Sequence, residues 1–177
     1  PRDFKKEKIV FYFLILFFPL LILLFLFREI IFAPIIFGSD IELQFYLNRF
    51  FGFNEIKNFR LPLWNPYQFC GYPFIESIQS AIFYPLNLLF VIFPIGKAFT
   101  VSALLHFFLA YFFMFLLAYE YTKKPVASAI SGLVYMLNCF FVAHNYAGHI
   151  TLLCAYPWIP LIFYFFDKAI TDNTVIY

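Results

Sequence analysis

The sequence predicts an all-α fold: a multi-pass transmembrane helical bundle with an outer loop that contains an interfacial amphipathic helix. Hydrophobic residues make up 64% of the 177 residues and charged residues only 12%, whereas soluble domains have about 45–50% and about 25%. The apolar residues also form uncharged segments long enough to cross a hydrocarbon core of about 30 Å. Nothing resembles a nucleic-acid-binding module, so we expect no nucleic-acid partner. The three cysteines form no CxxC pair and are interpreted as small buried hydrophobic residues.

The first transmembrane helix is predicted at residues 9–27, which carry no charge. A signal peptide would have a shorter apolar core and a small-residue cleavage site, so we expect this helix to be retained. Basic residues precede it between Arg2 and Lys8. Because cytoplasmic segments carry the excess of Lys and Arg, the N-terminus is predicted to be cytoplasmic.

An amphipathic helix is predicted at residues 39–53, lying in the outer membrane interface. Ser39 followed three positions later by Glu42 is typical of a capping box, and Asp40 would lie at the positive end of the helix. Gln44 follows Asp40 by one turn on the same polar face. The predicted helix of the outer loop therefore begins with two carboxylates, those of Asp40 and Glu42.

The loop 28–99 is predicted to face outward because it has no excess of positive charge. Its central stretch, 61–90, combines four prolines with a high density of aromatic rings. Such a stretch is typical of an ordered unit pressed against the membrane surface. We expect three of its rings to be partly buried: those of Trp64, Tyr67 and Phe83.

Three further spans are predicted, at residues 100–119, 126–143 and 150–166. The apolar segment 81–93 is interrupted by proline and too short to cross, so it is interpreted as interfacial or re-entrant. With four crossings, the basic pair Lys123–Lys124 lies on the same side as the N-terminal cluster. Both ends of the chain are then cytoplasmic.

Several segments resemble one known family, the YfhO-like bacterial membrane proteins. Their first outer loop is similar to Leu-Pro-Leu-Trp-Asn-Pro-Tyr (61–67), Gly-Tyr-Pro-Phe (71–74) and Gln-Ser-Ala-Ile-Phe-Tyr-Pro-Leu-Asn-Leu-Leu (79–89). Ser-Asp-Ile-Glu-Leu-Gln-Phe-Tyr (39–46) resembles the acidic segment after their first helix. Their third and fourth segments are similar to Phe-Phe-Val-Ala-His (140–144), Gly-His (148–149) and Trp-Ile-Pro-Leu (158–161).

The resemblance implies a GT-C-type membrane glycosyltransferase in the bacterial cell membrane. Such an enzyme takes a sugar from a polyprenyl-phosphate donor at the outer face and passes it to a cell-envelope glycan or polymer. Asp40 matches the acidic residue that is the usual catalytic candidate in that superfamily. Family members are several times longer, so we expect this chain to be an N-terminal part. The run Glu76-Ser77-Ile78 departs from the small, Asn-containing run expected there.

Glycosyl transfer needs a base near the acceptor hydroxyl and a group that neutralises the departing phosphate. Asp40 is the predicted base; its alternative role is an acid stabilised by the helix dipole. Glu42 is the candidate ligand for a divalent cation, with capping of the helix as its alternative. The predicted substrate-binding residues are Gln44, Gln79, His144, His149 and Arg60. We expect His149 to approach Asp40, and Arg49 to meet anionic groups or solvent.

Two other functions remain open at this point. A transporter or flippase would use His106, in the middle of the second span, and proline-bent helices to line a path. A non-catalytic assembly subunit would use the small residues at the start of the third span, which allow close helix contact in lipid. A satisfied polar contact inside the bundle is the alternative interpretation of His106.

Overall fold

The computed structural model describes residues 9–32 and 38–171 and confirms the all-α class. Four helical segments are long and apolar enough to cross a membrane: Ile9–Leu26, Ile95–Thr122, Pro125–Ala147 and Ile150–Thr171. The basic cluster that precedes the first span, at residues 1–8, lies outside the described residues.

The helices are numbered here in chain order. They are α1 (Ile9–Leu26), α2 (Arg28–Phe32), α3 (a π-helical turn, Ile41–Phe45, continued by Tyr46–Lys57), α4 (Leu89–Ile92), α5 (Ile95–Thr122), α6 (Pro125–Met136), α7 (Cys139–Ala147), α8 (Ile150–Ala155) and α9 (Trp158–Thr171). Two short strands, β1 (Trp64–Asn65) and β2 (Tyr72–Pro73), pair antiparallel. Single 3₁₀ turns lie at Ile78–Ser80 and Pro85–Leu88.

Helix α5 is the centre of the bundle. At 1.5 Å per residue its 28 residues span about 42 Å, more than the hydrocarbon core. Its Tyr111 ring packs over Gly132 of α6, where an added Cβ would lie 2.9 Å from the ring, and its hydroxyl donates to the Leu14 carbonyl of α1 at 2.7 Å. Ser128 and Ala129 of α6 are also buried. The small-residue face of the third span is therefore used within the chain.

The third and fourth spans are each broken once, and the two breaks are adjacent. Asn138 caps the start of α7 by accepting from the Phe141 amide at 2.9 Å. Its amide nitrogen also donates to the Tyr156 hydroxyl at 2.6 Å, at the break between α8 and α9. The Tyr135 and Tyr156 rings stack with centroids 4.3 Å apart. Side chains thus satisfy backbone groups that the breaks would leave unpaired in lipid.

Contacts at the two ends of the bundle define which connections lie together. At one end, Phe11 of α1 packs on Tyr119 near the end of α5, with ring centroids 4.9 Å apart, and Tyr121 lies beside Asp167 of α9. At the other end, the loop between α1 and α5 meets the turn between α7 and α8. The basic pair Lys123–Lys124 and this loop are therefore at opposite ends.

Several boundaries and contacts differ from the sequence prediction. Helix α3 continues to Lys57, beyond the predicted end at residue 53. The capping box is not formed, because the Glu42 amide donates to the Gly38 carbonyl at 3.3 Å instead of to Ser39. Segment 81–93 does not differ from its prediction as a segment that does not cross, since it contains only the second 3₁₀ turn and the four-residue α4.

The aromatic loop is ordered around rings other than the predicted ones. Trp64, Tyr67 and Phe83 are 56%, 82% and 74% exposed, so the prediction that they are partly buried was wrong. Phe74 is fully buried and packs edge-on against Phe51 of α3 at 5.0 Å between centroids. The cysteine interpretation also fails in part, since two of the three free thiols are exposed, those of Cys70 and Cys139.

Candidate functional site

Two glycines bring the start of α3 against the turn between α7 and α8. Gly38 has φ +112° and Gly148 has φ +94°, conformations that L side chains rarely adopt. A Cβ on Gly38 would lie 2.6 Å from the Gly148 Cα, and one on Gly148 would lie 2.9 Å from the Ile41 nitrogen. The backbones can approach this closely only because neither residue has a side chain. This crossing fixes the position of Asp40, two residues after Gly38.

Asp40 and His149 face each other across this crossing. The Asp40 Oδ2 and His149 Nε2 atoms are 3.2 Å apart, and the side chains are 44% and 42% exposed. The approach of His149 to Asp40 matches the sequence expectation. A pair this exposed contributes only about 0–1 kcal/mol to stability. The glycine crossing, rather than the attraction between the two side chains, therefore holds them together.

His144 extends the pair into a row of three polar side chains. Its ring centroid lies 5.0 Å from that of His149, and its Nδ1 lies 2.8 Å from the Phe140 carbonyl. Because a carbonyl oxygen can only accept a hydrogen bond, Nδ1–H is the donor, and Nε2 of a neutral His144 ring is left as an acceptor. A carboxylate and two imidazoles, all reachable from solvent, are the kinds of group that general acid–base catalysis uses.

The two predicted glutamines are also brought together. The Gln44 amide nitrogen donates to the Gln79 side-chain oxygen. Gln44 lies one turn after Asp40 in α3, and Gln79 belongs to the 3₁₀ turn Ile78–Ser80 of the aromatic loop. The loop therefore reaches the polar face of α3 that carries Asp40.

Among the described residues, no hydrogen bond or ion pair joins the side chains of Arg60 and Glu42 to the site formed by Asp40, His144, His149 and the two glutamines. The Arg60 guanidinium forms a bidentate pair with Glu55, at 2.8 and 2.9 Å, just past the end of α3. The hydrogen bond from Arg60 lowers the pKa of Glu55. Glu42 is exposed, and no group of three or more His, Cys, Asp or Glu within 9–32 and 38–171 is arranged to hold a metal ion.

Arg49 lies elsewhere than the sequence suggested. It is 1% exposed, so it meets neither headgroups nor solvent, and one terminal nitrogen donates to the carbonyls of Gln79, at 2.9 Å, and Ser80. Burial lowers the pKa of its guanidinium to about 10. The local sequence around Arg49 does not place its side chain inside; the packing of the aromatic loop on α3 does.

Sequence reasoning missed the residue that ties the loop to the spans, Tyr84. Its hydroxyl accepts from the Trp158 indole at 3.0 Å and lies 2.8 Å from His106 Nε2. The other ring nitrogen of His106 lies 2.6 Å from the Ser102 carbonyl and donates to it. Tyr84 is therefore the donor to Nε2, and burial raises the pKa of the Tyr84 hydroxyl to about 12. His106 is a satisfied polar contact, as one of its two interpretations predicted.

The fold and this cluster define the class of protein. It is a multi-pass α-helical membrane protein. Polar and titratable side chains lie where the long loop between α1 and α5 meets the turn between α7 and α8. Comparisons with protein-family models, with curated proteins and with solved structures find no match. The resemblance to YfhO-like proteins therefore remains a prediction from the sequence segments alone.

Proposed function

We propose that this chain is the N-terminal part of a YfhO-like, GT-C-type glycosyltransferase of the bacterial cell membrane. It transfers a sugar from a polyprenyl-phosphate donor to a cell-envelope acceptor at the outer face, with its N-terminus in the cytoplasm. One observation supports this most directly. Asp40, selected as the base, lies 3.2 Å from His149 in a partly exposed site at the loop end of the bundle.

The proposed reaction uses the groups of this site as follows. The Asp40 carboxylate takes the proton of the acceptor hydroxyl as that oxygen attacks the anomeric carbon of the sugar. The bond from that carbon to the lipid phosphate breaks, and its electrons leave with the phosphate. His149 faces the carboxylate across the glycine crossing and offers a second polar group beside the reacting atoms. Gln44 and Gln79 offer amide groups for sugar hydroxyls.

Two contacts argue against the other functions. His106 is fully buried, and both of its ring nitrogens are hydrogen-bonded, so it lines no path among the described residues. Ser128, Ala129 and Gly132, on the small-residue face of α6, are buried in the described chain, and Gly132 packs against Tyr111 of α5. That face is not free to receive another subunit.

Asp40→Asn tests the proposal because it keeps size and hydrogen bonding but removes the base. We expect the transfer rate of the intact protein to fall by a factor on the order of 10² to 10⁴. The assay follows labelled sugar from a panel of prenyl-phosphate sugars into envelope material in isolated membranes. The matched control is Glu29→Gln, since Glu29 is an exposed acid outside the site. Unchanged turnover in Asp40→Asn, at normal membrane levels, would remove Asp40 as the base.

A further inference from the structure

Arg49 is a buried cation without a carboxylate partner in the described chain. No carboxylate oxygen of residues 9–32 and 38–171 pairs with it within 4.0 Å. Its Nε atom is buried with no hydrogen-bond partner, and its guanidinium lies 5.8 Å from the centroid of the Phe90 ring. Removing a guanidinium from water is costly, and an apolar side chain of similar volume would avoid that cost. Packing alone does not explain an arginine here.

The guanidinium holds one short piece of main chain, the carbonyls of Gln79 and Ser80. The next residue, Ala81, has φ +42°, a conformation that is strained for a residue with a side chain. Its carbonyl accepts from the Asn87 side chain at 2.9 Å and from the Tyr84 amide at 3.2 Å. Strained backbone persists only where several interactions fix it, and it is concentrated at functional sites.

The result of this restraint is the direction of one side chain. The Gln79 amide reaches Gln44, one turn from Asp40 in α3. We propose that Arg49 is a positioning residue for the site around Asp40: it fixes the main chain of Gln79 and Ser80 so that the Gln79 amide faces the substrate. The structural part of this inference is independent of the reaction, whereas its effect on turnover rests on the proposed function.

Arg49→Lys tests the positioning because lysine keeps the charge but not the planar fork that reaches two carbonyls. Hydrogen–deuterium exchange is measured on the intact protein in lipid nanodiscs. We expect the exchange of the Ser80 and Tyr84 amides to rise by on the order of tenfold to a hundredfold, as lost hydrogen bonds to a charged group predict. The hydrogen exchange of the transmembrane spans should be unchanged. Arg28→Lys is the matched control, since Arg28 is exposed.

A double-mutant cycle tests the effect on turnover. If Arg49 acts through Gln79, the single substitution Arg49→Lys lowers kcat/KM. The same substitution causes no further loss when Gln79 has already been replaced by alanine. If the Arg49→Lys variant does not fold in the membrane, Arg49→Met is measured in the same way.

Unchanged exchange at residues 79–84, or a uniform rise throughout the spans, would overturn the inference, and so would losses that multiply in the cycle. If Asp40→Asn remains active while the local exchange rises, the glycosyltransferase proposal fails and the positioning of Gln79 stands. If the exchange stays unchanged while Asp40→Asn is inactive, the positioning fails and the proposed reaction stands.

Discussion

The contact between Gly38 and Gly148 is the part of the structure on which the Asp40–His149 pair depends most directly. Gly38→Ala adds one methyl group at φ +112°, with its Cβ 2.6 Å from both the Cα and the nitrogen of Gly148. Both atoms belong to the backbone, so no side-chain rotation relieves the overlap. We expect the start of α3 to separate from the turn between α7 and α8.

The cost has two parts. Holding a non-glycine residue in this region of φ costs about 1–3 kcal/mol. Inserting a methyl group into a closed contact costs about 1–3 kcal/mol more. The sum is about 2–6 kcal/mol if the contact is kept, and at about 2–4 °C per kcal/mol the unfolding midpoint falls by about 4–24 °C. If the backbones separate instead, less stability is lost and the carboxylate moves away from His149.

Two measurements distinguish these cases in detergent or nanodiscs: the thermal unfolding midpoint and the hydrogen exchange of the first turn of α3. The control is Gly96→Ala, because Gly96 lies in α5 and its φ is not positive. Alanine favours a helix over glycine by about 1 kcal/mol, so this variant should be unaffected or more stable. A Gly38→Ala protein with an unchanged midpoint and unchanged exchange would show that the crossing does not hold Asp40 in place.

Two further predictions concern the connection of the loop to the spans and the orientation of the chain. Tyr84→Phe leaves the His106 and Trp158 nitrogens unpaired and should lower the free energy of unfolding by about 1–3 kcal/mol. The control is Tyr67→Phe, which removes a hydroxyl from an exposed ring. Equal losses of stability in the two variants would contradict a role for the buried Tyr84 hydroxyl. The orientation is tested with Asn145→Cys and Lys123→Cys in a background without native cysteines. An impermeant thiol reagent applied from outside should label the first but not the second. Labelling at position 123 would refute the proposed orientation.

The sequence determined the elements that depend on local chemistry. Uncharged apolar runs have one stable environment, so the four spans and the all-α class followed from hydropathy alone. Asp40 and Gln44 were placed on one face because residues four apart in a helix are neighbours. Prolines among the aromatic rings indicated an ordered loop, and Asn65 and Asn87 of that loop are buried.

Only the tertiary structure decided which distant groups meet. The backbone crossing between Gly38 and Gly148 joins residues 110 positions apart, and no local pattern encodes such a contact. The same limit explains the errors. Whether Arg49 lies inside, or Phe74 rather than Trp64 is the buried ring, depends on which face of the loop packs on α3. Composition requires aromatic rings and polar groups to find partners, but the packing of α3, the aromatic loop and the spans selects which ones do.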